Sequence, residues 1–240
     1  MREAGTQEFF EETARFGGLR VVLLTGELEL QEGYALRYQS YLNEGAIEPN
    51  PTERFIDNYD MQRTSLMIAV VNQRGRVVGS IRFAVQPPIS HGIMDFRSSP
   101  EFQVFPDVVR ELEKDNRPIA SAARFSIEPR HPRRAEIAIL LMMAQATAAR
   151  AAGAKWMVAT ARGSHLHLYR RFLMEPLCEE RQMPNLAFCY TLLGSNMDEN
   201  FGAAMARFPE NLRTYFDREH PFWSSQVAHA LPEVSRRGAA

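Results

Sequence analysis

Residues 122–161 constrain the fold more than any other stretch of this chain. An apolar, strand-like run at 122–127 is stopped by Pro129. An arginine-rich turn follows, and then 135–153 carries the longest helical pattern in the sequence. Gly153 stands where a helix commonly ends in a left-handed residue. A second apolar run at 156–161 comes directly after it. Strand, long helix and strand with short connections make a βαβ unit, in which the two strands lie parallel and the helix covers one face.

The other segments have to be built around that unit. Residues 19–24 read as a short buried strand and 27–43 as a helix, with Leu28, Tyr34, Leu36, Tyr38, Tyr41 and Leu42 as its core stripe and Gly45 as its stop. Residues 66–71 and 77–85 are two strands joined through Asn72-Gln-Arg-Gly75, a hairpin signal. Helices are expected at 107–114 and 164–173, and a last strand at 187–193. Hairpin first and βαβ later imply an α/β protein with a mixed sheet and helices on both faces. Residues 1–18 form a lead segment, 19–196 the main domain and 197–240 a helical extension.

Composition narrows the class. The chain has 240 residues and a net charge of -1, with no basic excess to attract nucleic acid. Lys114 and Lys155 are the sole lysines, so the remaining basic residues are arginines, whose fork geometry suits phosphate. Cys178 and Cys189 lack metal spacing and need not pair, which fits a reducing compartment. Acidic residues near the start (Glu3, Glu8, Glu11, Glu12) do not suit a signal peptide, and the apolar run 137–149 is too short to span a bilayer. The expectation is a soluble, cytoplasmic protein. The six histidines offer only His165-x-His167, without a partnering ligand nearby, so no metal site is expected.

Two constellations carry chemistry. In the first, strand 122–127 runs through Arg130-His-Pro-Arg133-Arg134-Ala135 into a helix N-terminus. Free N–H groups and the positive dipole end make such a place an anion site, and Arg130, Arg133 and Arg134 add charge-assisted donors for a phosphate. The second is dispersed. Arg37 and Tyr41 share a face of the first helix, Asp57 and Asp60 sit in the next loop, Arg82 lies on a hairpin strand, and Arg124 opens the later strand. Those charges can converge into one ion network that holds a loop over a cleft.

From Arg130 to Ala135 the turn resembles the pyrophosphate loop of the GNAT superfamily of N-acyltransferases, with Arg133 where that loop has its first glycine. The order then continues as in that superfamily: a helix closing at Gly153, a strand, and a helix holding Leu168-Tyr169-Arg-Arg-Phe172. The set Arg37, Tyr41, Asp57, Asp60, Arg82 and Arg124 is similar to a pattern of the long-chain N-acyl amino acid synthases and the related acyl-homoserine lactone (autoinducer) synthases. Ser121 stands where the latter have a glutamate, and Ile47 lies near where they have a tryptophan. Glu180-Arg-Gln-Met-Pro-Asn185 and Tyr190-Thr-Leu-Leu193 look more like the N-acyl amino acid synthases.

The resemblance implies a GNAT fold in which strand 122–127 splays from its neighbour. It implies an N-acyltransferase that moves an acyl group from an acyl-coenzyme A or an acyl carrier protein to a small amine such as an amino acid, with no tightly bound cofactor. Tyr169 then protonates the departing thiolate, and backbone groups at Phe125, Ser126 and Ile127 donate to the thioester carbonyl. Arg130, Arg133, Arg134 and Ala135 take the phosphate. Arg37, Tyr41, Asp57, Asp60, Arg82 and Arg124 surround the acceptor. Ser121 through a water, or Glu128, would take the amine's proton. Arg130, Arg133, Arg134, Arg150, Arg170 and Arg171 would face an acidic carrier protein. Met142, Met143, Met157, Phe172 and Met174 read first as core, with an acyl tunnel as the alternative. An autoinducer synthase and a non-catalytic GNAT-like binding module are the competing readings. Acyl length and oligomeric state have no sequence signal.

Overall fold

The computed structural model describes residues 17–62, 65–86, 100–217 and 224–225. The expected lead segment, but for its last two residues, and most of 218–240 lie outside that set.

Strand β1 (Arg20–Leu24) leads into helix α1 (Glu27–Asn43). The first turn of α1, residues 27–29, is exposed, so Leu28 is 87 % exposed and does not join the expected stripe. Contact with the sheet begins a turn later, where Tyr34, Arg37 and Tyr38 become buried at i, i+3 and i+4 spacing. The helix ends as expected at Gly45, with φ of 66°. The Ala46 N–H reaches back to the Tyr41 carbonyl at 2.9 Å, which absorbs one of the orphan carbonyls of the last turn.

Strands β2 (Ser65–Val71) and β3 (Val77–Gln86) form the expected hairpin, closed by the Asn72 N–H on the Arg76 carbonyl. All ten residues of β3 are buried, because helices cover the sheet on both sides. Short helices α2 (Pro100–Val104) and α3 (Pro106–Glu113) precede strand β4 (Ile119–Ile127). Helix α4 (Arg134–Ala151) follows and closes at Gly153, whose φ is again 66°. Strand β5 (Trp156–Ala161) completes the βαβ unit, pairing parallel with β4. The expected helix at 164–173 is instead a single 3-10 turn (Gly163–His165) and the short helix α5 (Leu166–Arg170). Two-residue strands β6 (Glu175–Pro176) and β7 (Arg181–Gln182) then flank β8 (Cys189–Asn196), before helix α6 (Met197–Met205).

The strand order is β1-β2-β3-β4-β5-β8-β6, with β7 also on β8, and only the β4–β5 pair is parallel. This is the mixed sheet expected. Under one face lies a core of Ile68, Val70, Ile81, Phe83 and the α4 residues Ile137, Leu141 and Met142. Met143, Met157, Phe172 and Met174 belong to that core as well, at 2 % exposure or less. The five residues thus sit in the core on the α4 face of the sheet, and none of them lines the cleft described below. Residues of the expected extension enter the same core, with Phe208 stacked on Phe172 at 4.6 Å between ring centroids. The other face is packed by Phe102, Phe105, Val109, Leu112, Met183 and Leu186. No helix among the described residues is long and apolar enough to cross a membrane.

Candidate active site

The site begins with a fault in the sheet. Arg82 pairs with Ala123 and Ser80 with Ser126, so Arg124 and Phe125 together face the single residue Ile81. Two residues against one is a β-bulge, which bends its strand and leaves ladder groups unpaired. Arg124 takes the strained conformation, with φ of 58°, in a region arginine rarely adopts. On its other side β4 pairs with β5 only from Ile119–Trp156 to Ala122–Ala159. Beyond those pairs the two strands part, as the sequence led us to expect.

A cleft of about 290 Å³ occupies the opening. Arg124, Phe125 and Ile127 wall it on the β4 side, and Thr160, Ala161 and Arg162 on the β5 side. Tyr169 stands at its foot, and the α4 N-terminus brings Arg134 and Ala135 to its edge. Tyr41, Glu44 and Tyr190 close the opposite side.

Five of the dispersed charges do converge. Arg37 donates to Asp60 at 2.7 Å and to the Phe55 carbonyl at 3.2 Å. Arg82 bonds Asp57 and lies 3.6 Å from Asp60. Arg124 donates twice to Asp57, from Nε at 2.9 Å and Nη2 at 2.8 Å. The loop itself is tied by the same carboxylates: the Asp57 N–H donates to Asp60 at 2.9 Å, and the Tyr59 N–H to Asp57 at 3.0 Å. Burial works to raise the Asp57 carboxyl, but Arg82 and Arg124 beside it, then Arg37, outweigh that and hold it below its ordinary 3.8. Arg124 is also over the Phe55 ring at 4.9 Å. The network thus pins residues 55–60 to the bulge, behind the cleft wall.

The remaining expected residues separate into those at the cleft and those away from it. Arg134 Nη1 donates to the Glu128 carbonyl at 3.0 Å and the Ile127 carbonyl at 3.4 Å. The first α4 ladder bond is Ile137 N–H to the Arg133 carbonyl, so the N–H groups of Arg134, Ala135 and Glu136 precede the ladder. Arg133 turns elsewhere, donating to Glu136 at 2.9 Å and to the Gly17 carbonyl at 2.8 Å. That tie also lowers the Glu136 carboxyl. Arg130 is exposed and does not line the cleft. Arg150 lies at the far end of α4, about 24 Å away at 1.5 Å per residue, over the Phe201 ring, and does not join a patch with Arg134.

Ser121 and Ser126 are buried in the sheet. Ser121 pairs with Val158, below the fork, where β4 and β5 are still joined. Ser126 alternates with the cleft-facing Phe125 and Ile127, and its hydroxyl donates back to the Arg124 carbonyl at 3.1 Å. Glu128 is engaged by Arg76, outside the cleft.

Tyr169 lines the cleft yet is only 5 % exposed. Burial, then the nearby Tyr41 and Tyr190, push its hydroxyl above the ordinary 10.0, so it stays a proton donor throughout the neutral range. Sequence reasoning missed Glu44, Arg162 and His165, which also line the cleft. Burial pulls the His165 imidazole below its usual 6.5, Glu44 opposes this, and Arg162, His167 and Arg134 reinforce it. Among the described residues no cluster of three or more His, Cys, Asp or Glu is arranged to hold a metal.

A mixed sheet forked beside a bulge, with helices on both faces, is the architecture of the GNAT-like acyltransferases. The solved structure of FeeM, an N-acyl amino acid synthase from uncultured soil microbes, superposes with a TM-score of 0.64 at 10 % identity, covering 82 % of this chain and 97 % of that one. A CoA-dependent acyl-homoserine lactone synthase, BjaI, gives 0.57 at 16 % identity, over 84 % of this chain and 100 % of its own. The acyl-homoserine lactone synthase LasI gives 0.51 at 15 % identity, over 78 % and 93 %. No curated protein sequence matches significantly. Residues 32–196 match the family described as N-acyl amino acid synthase FeeM, and the chain belongs to that family. It is an N-acyltransferase.

Proposed function

We propose that the protein joins a long acyl chain to the amino group of an amino acid, taking the acyl group from a phosphopantetheine thioester carried by an acyl carrier protein in preference to coenzyme A. The fork between β4 and β5 carries this reading. It opens a slot beside the bulge, with an anion-ready helix end on one side and a buried tyrosine at its foot.

In this reading the pantetheine arm lies along Phe125–Ile127 and its phosphate meets the free N–H groups and Arg134 at the start of α4. The thioester carbonyl takes hydrogen bonds from backbone groups freed by the bulge. A neutral amine attacks that carbonyl, the C–N bond forms, and the C–S bond breaks. Tyr169 supplies the proton to the departing thiolate. His165 replaces Ser121 and Glu128 as the group that receives the amine's proton, since it lines the cleft and is neutral at neutral pH. Because its folded pKa is lowered, the imidazole remains a competent base until pH falls below the ordinary 6.5, and the rate should fall from there downward. Arg134 and Arg171, which line the cleft and are exposed, provide the charge that an acidic carrier protein would seek.

The test is direct. Purified protein is given long-chain acyl carrier protein or acyl-coenzyme A together with an amino-acid mixture, and product mass and free thiol are followed. N-acyl amino acid and thiol should appear one for one. A lactone made from S-adenosylmethionine instead would move the protein to the autoinducer synthases, and no amide from any donor would end the reading.

A further inference from the structure

Four arginines line the cleft, and three have an evident engagement or stand at the rim. Arg124 is committed to Asp57 through two bonds, Arg134 to two backbone carbonyls, and Arg171 is exposed. Arg162 is different. Its guanidinium is centred 3.7 Å from the Phe188 ring, which fixes its position by cation–π contact without using a donor. Its nearest carboxylate is Glu44, with 3.7 Å between Nη1 and Oε2, beyond hydrogen-bond distance. Among the described residues the Arg162 guanidinium has no hydrogen-bond partner. Its side chain is only 25 % exposed and that of Glu44 32 %, so both are partly withdrawn from water that would otherwise solvate them. A guanidinium held in place, part-buried and with its donors unspent is costly unless something uses it.

We propose that Arg162 and Glu44 together are the acceptor subsite and recognise an α-amino carboxylate as a zwitterion. The two residues come from the end of β5 and the C-cap of α1, so opposite walls of the cleft supply them. Arg162 takes the carboxylate through its paired N–H groups, a fork geometry that matches both oxygens. The ammonium, one carbon away, lands on Glu44, and the stretched pair closes around the ligand. The ammonium first gives one proton to water to become the neutral amine, and His165, adjacent in the same cleft, receives the next as the C–N bond forms. This assignment rests on the acyl-transfer reading above and adds the acceptor's chemistry to it: a free carboxylate beside the amine is required, whether the source is a free amino acid or the methionine end of S-adenosylmethionine.

The experiment compares phenylalanine, phenylalaninamide and phenethylamine as acceptors at saturating acyl donor, with S-adenosylmethionine as a separate arm to distinguish the two sources. The wild type should use the free acid well and both carboxylate-free amines poorly. Arg162→Gln should lose roughly 10- to 100-fold more in kcat/KM for phenylalanine than for phenylalaninamide, with the donor KM unchanged, so that the preference collapses. Arg162→Lys should recover part of it, since charge returns without the fork. Glu44→Gln should raise the phenylalanine KM in the same sense. Equal use of acid and amide by the wild type overturns the subsite even if no variant folds, as does a folded Arg162→Gln enzyme that still prefers the acid. Absence of amide product from every amine fails the acyl-transfer reading itself, and the subsite with it.

Discussion

Two groups of arginines flank the same fork, and the protein treats them in opposite ways. Arg37, Arg82 and Arg124 are buried, and each is matched to Asp57 or Asp60. Arg134 and Arg162 are half-exposed or exposed, and neither has a carboxylate within hydrogen-bond distance. Charges removed from water must be neutralised internally, because an uncompensated buried ion is worth several kcal/mol of destabilisation. Those at the cleft edge keep part of their water, and their internal partners are a loose ion pair with Glu44 for Arg162 and backbone carbonyls for Arg134. The first group shapes the cleft and the second faces what enters it.

The sharpest way to break the comparison is to unmatch the buried group. Arg124→Ala should cost about 2–3 kcal/mol in chemical denaturation, since Asp57 keeps Arg82 but loses both bonds from Arg124, and activity should fall with folding. A stable, active variant would dissolve the distinction. The same network predicts a pH response. With the Asp57 carboxyl lowered in the folded state, its contribution is complete above the ordinary 3.8 and is lost as pH falls through the lower folded value, so acid melting should flatten in Arg124→Ala.

Next in size, Tyr169→Phe should lower kcat about 100-fold with little change in melting, because only the proton to the thiolate is removed. Arg134→Ala should raise the donor KM roughly 10-fold and leave stability nearly unaltered. Smallest of all is Arg133→Ala, which removes an exposed tie to Glu136 and Gly17. It should change melting slightly and leave the donor KM alone, and a donor effect equal to that of Arg134→Ala would return Arg133 to the phosphate site.

How far the sequence could be read depended on the range of the signal. The unit of β4, α4 and β5 was legible because its helix is long and periodic and Gly153 marks its end. The hairpin was legible through Asn72 and Gly75. By contrast β6 and β7 have two residues each, too few for any period, and β8 runs to Asn196 rather than ending near 193 because it pairs along all of β5. The ion network was legible only through family likeness. Nothing in Asp57 or Arg82 alone says they meet. Glu44, Arg162 and His165 stayed hidden for the same reason without that help: a helix cap, a strand end and a 3-10 turn become neighbours only once the chain has folded. Ser121 pairs with Val158 below the fork, a placement that motif spacing alone does not reveal.

Arg124 joins two parts of the machine in one residue. Its backbone makes the bulge that parts the strands, while its side chain fastens the loop at 55–60. A change in that loop therefore also pulls on the bulge beside the cleft. Grafts between relatives should carry the loop and the bulge across as one cassette, whereas swaps confined to the start of α4 can be made independently of both.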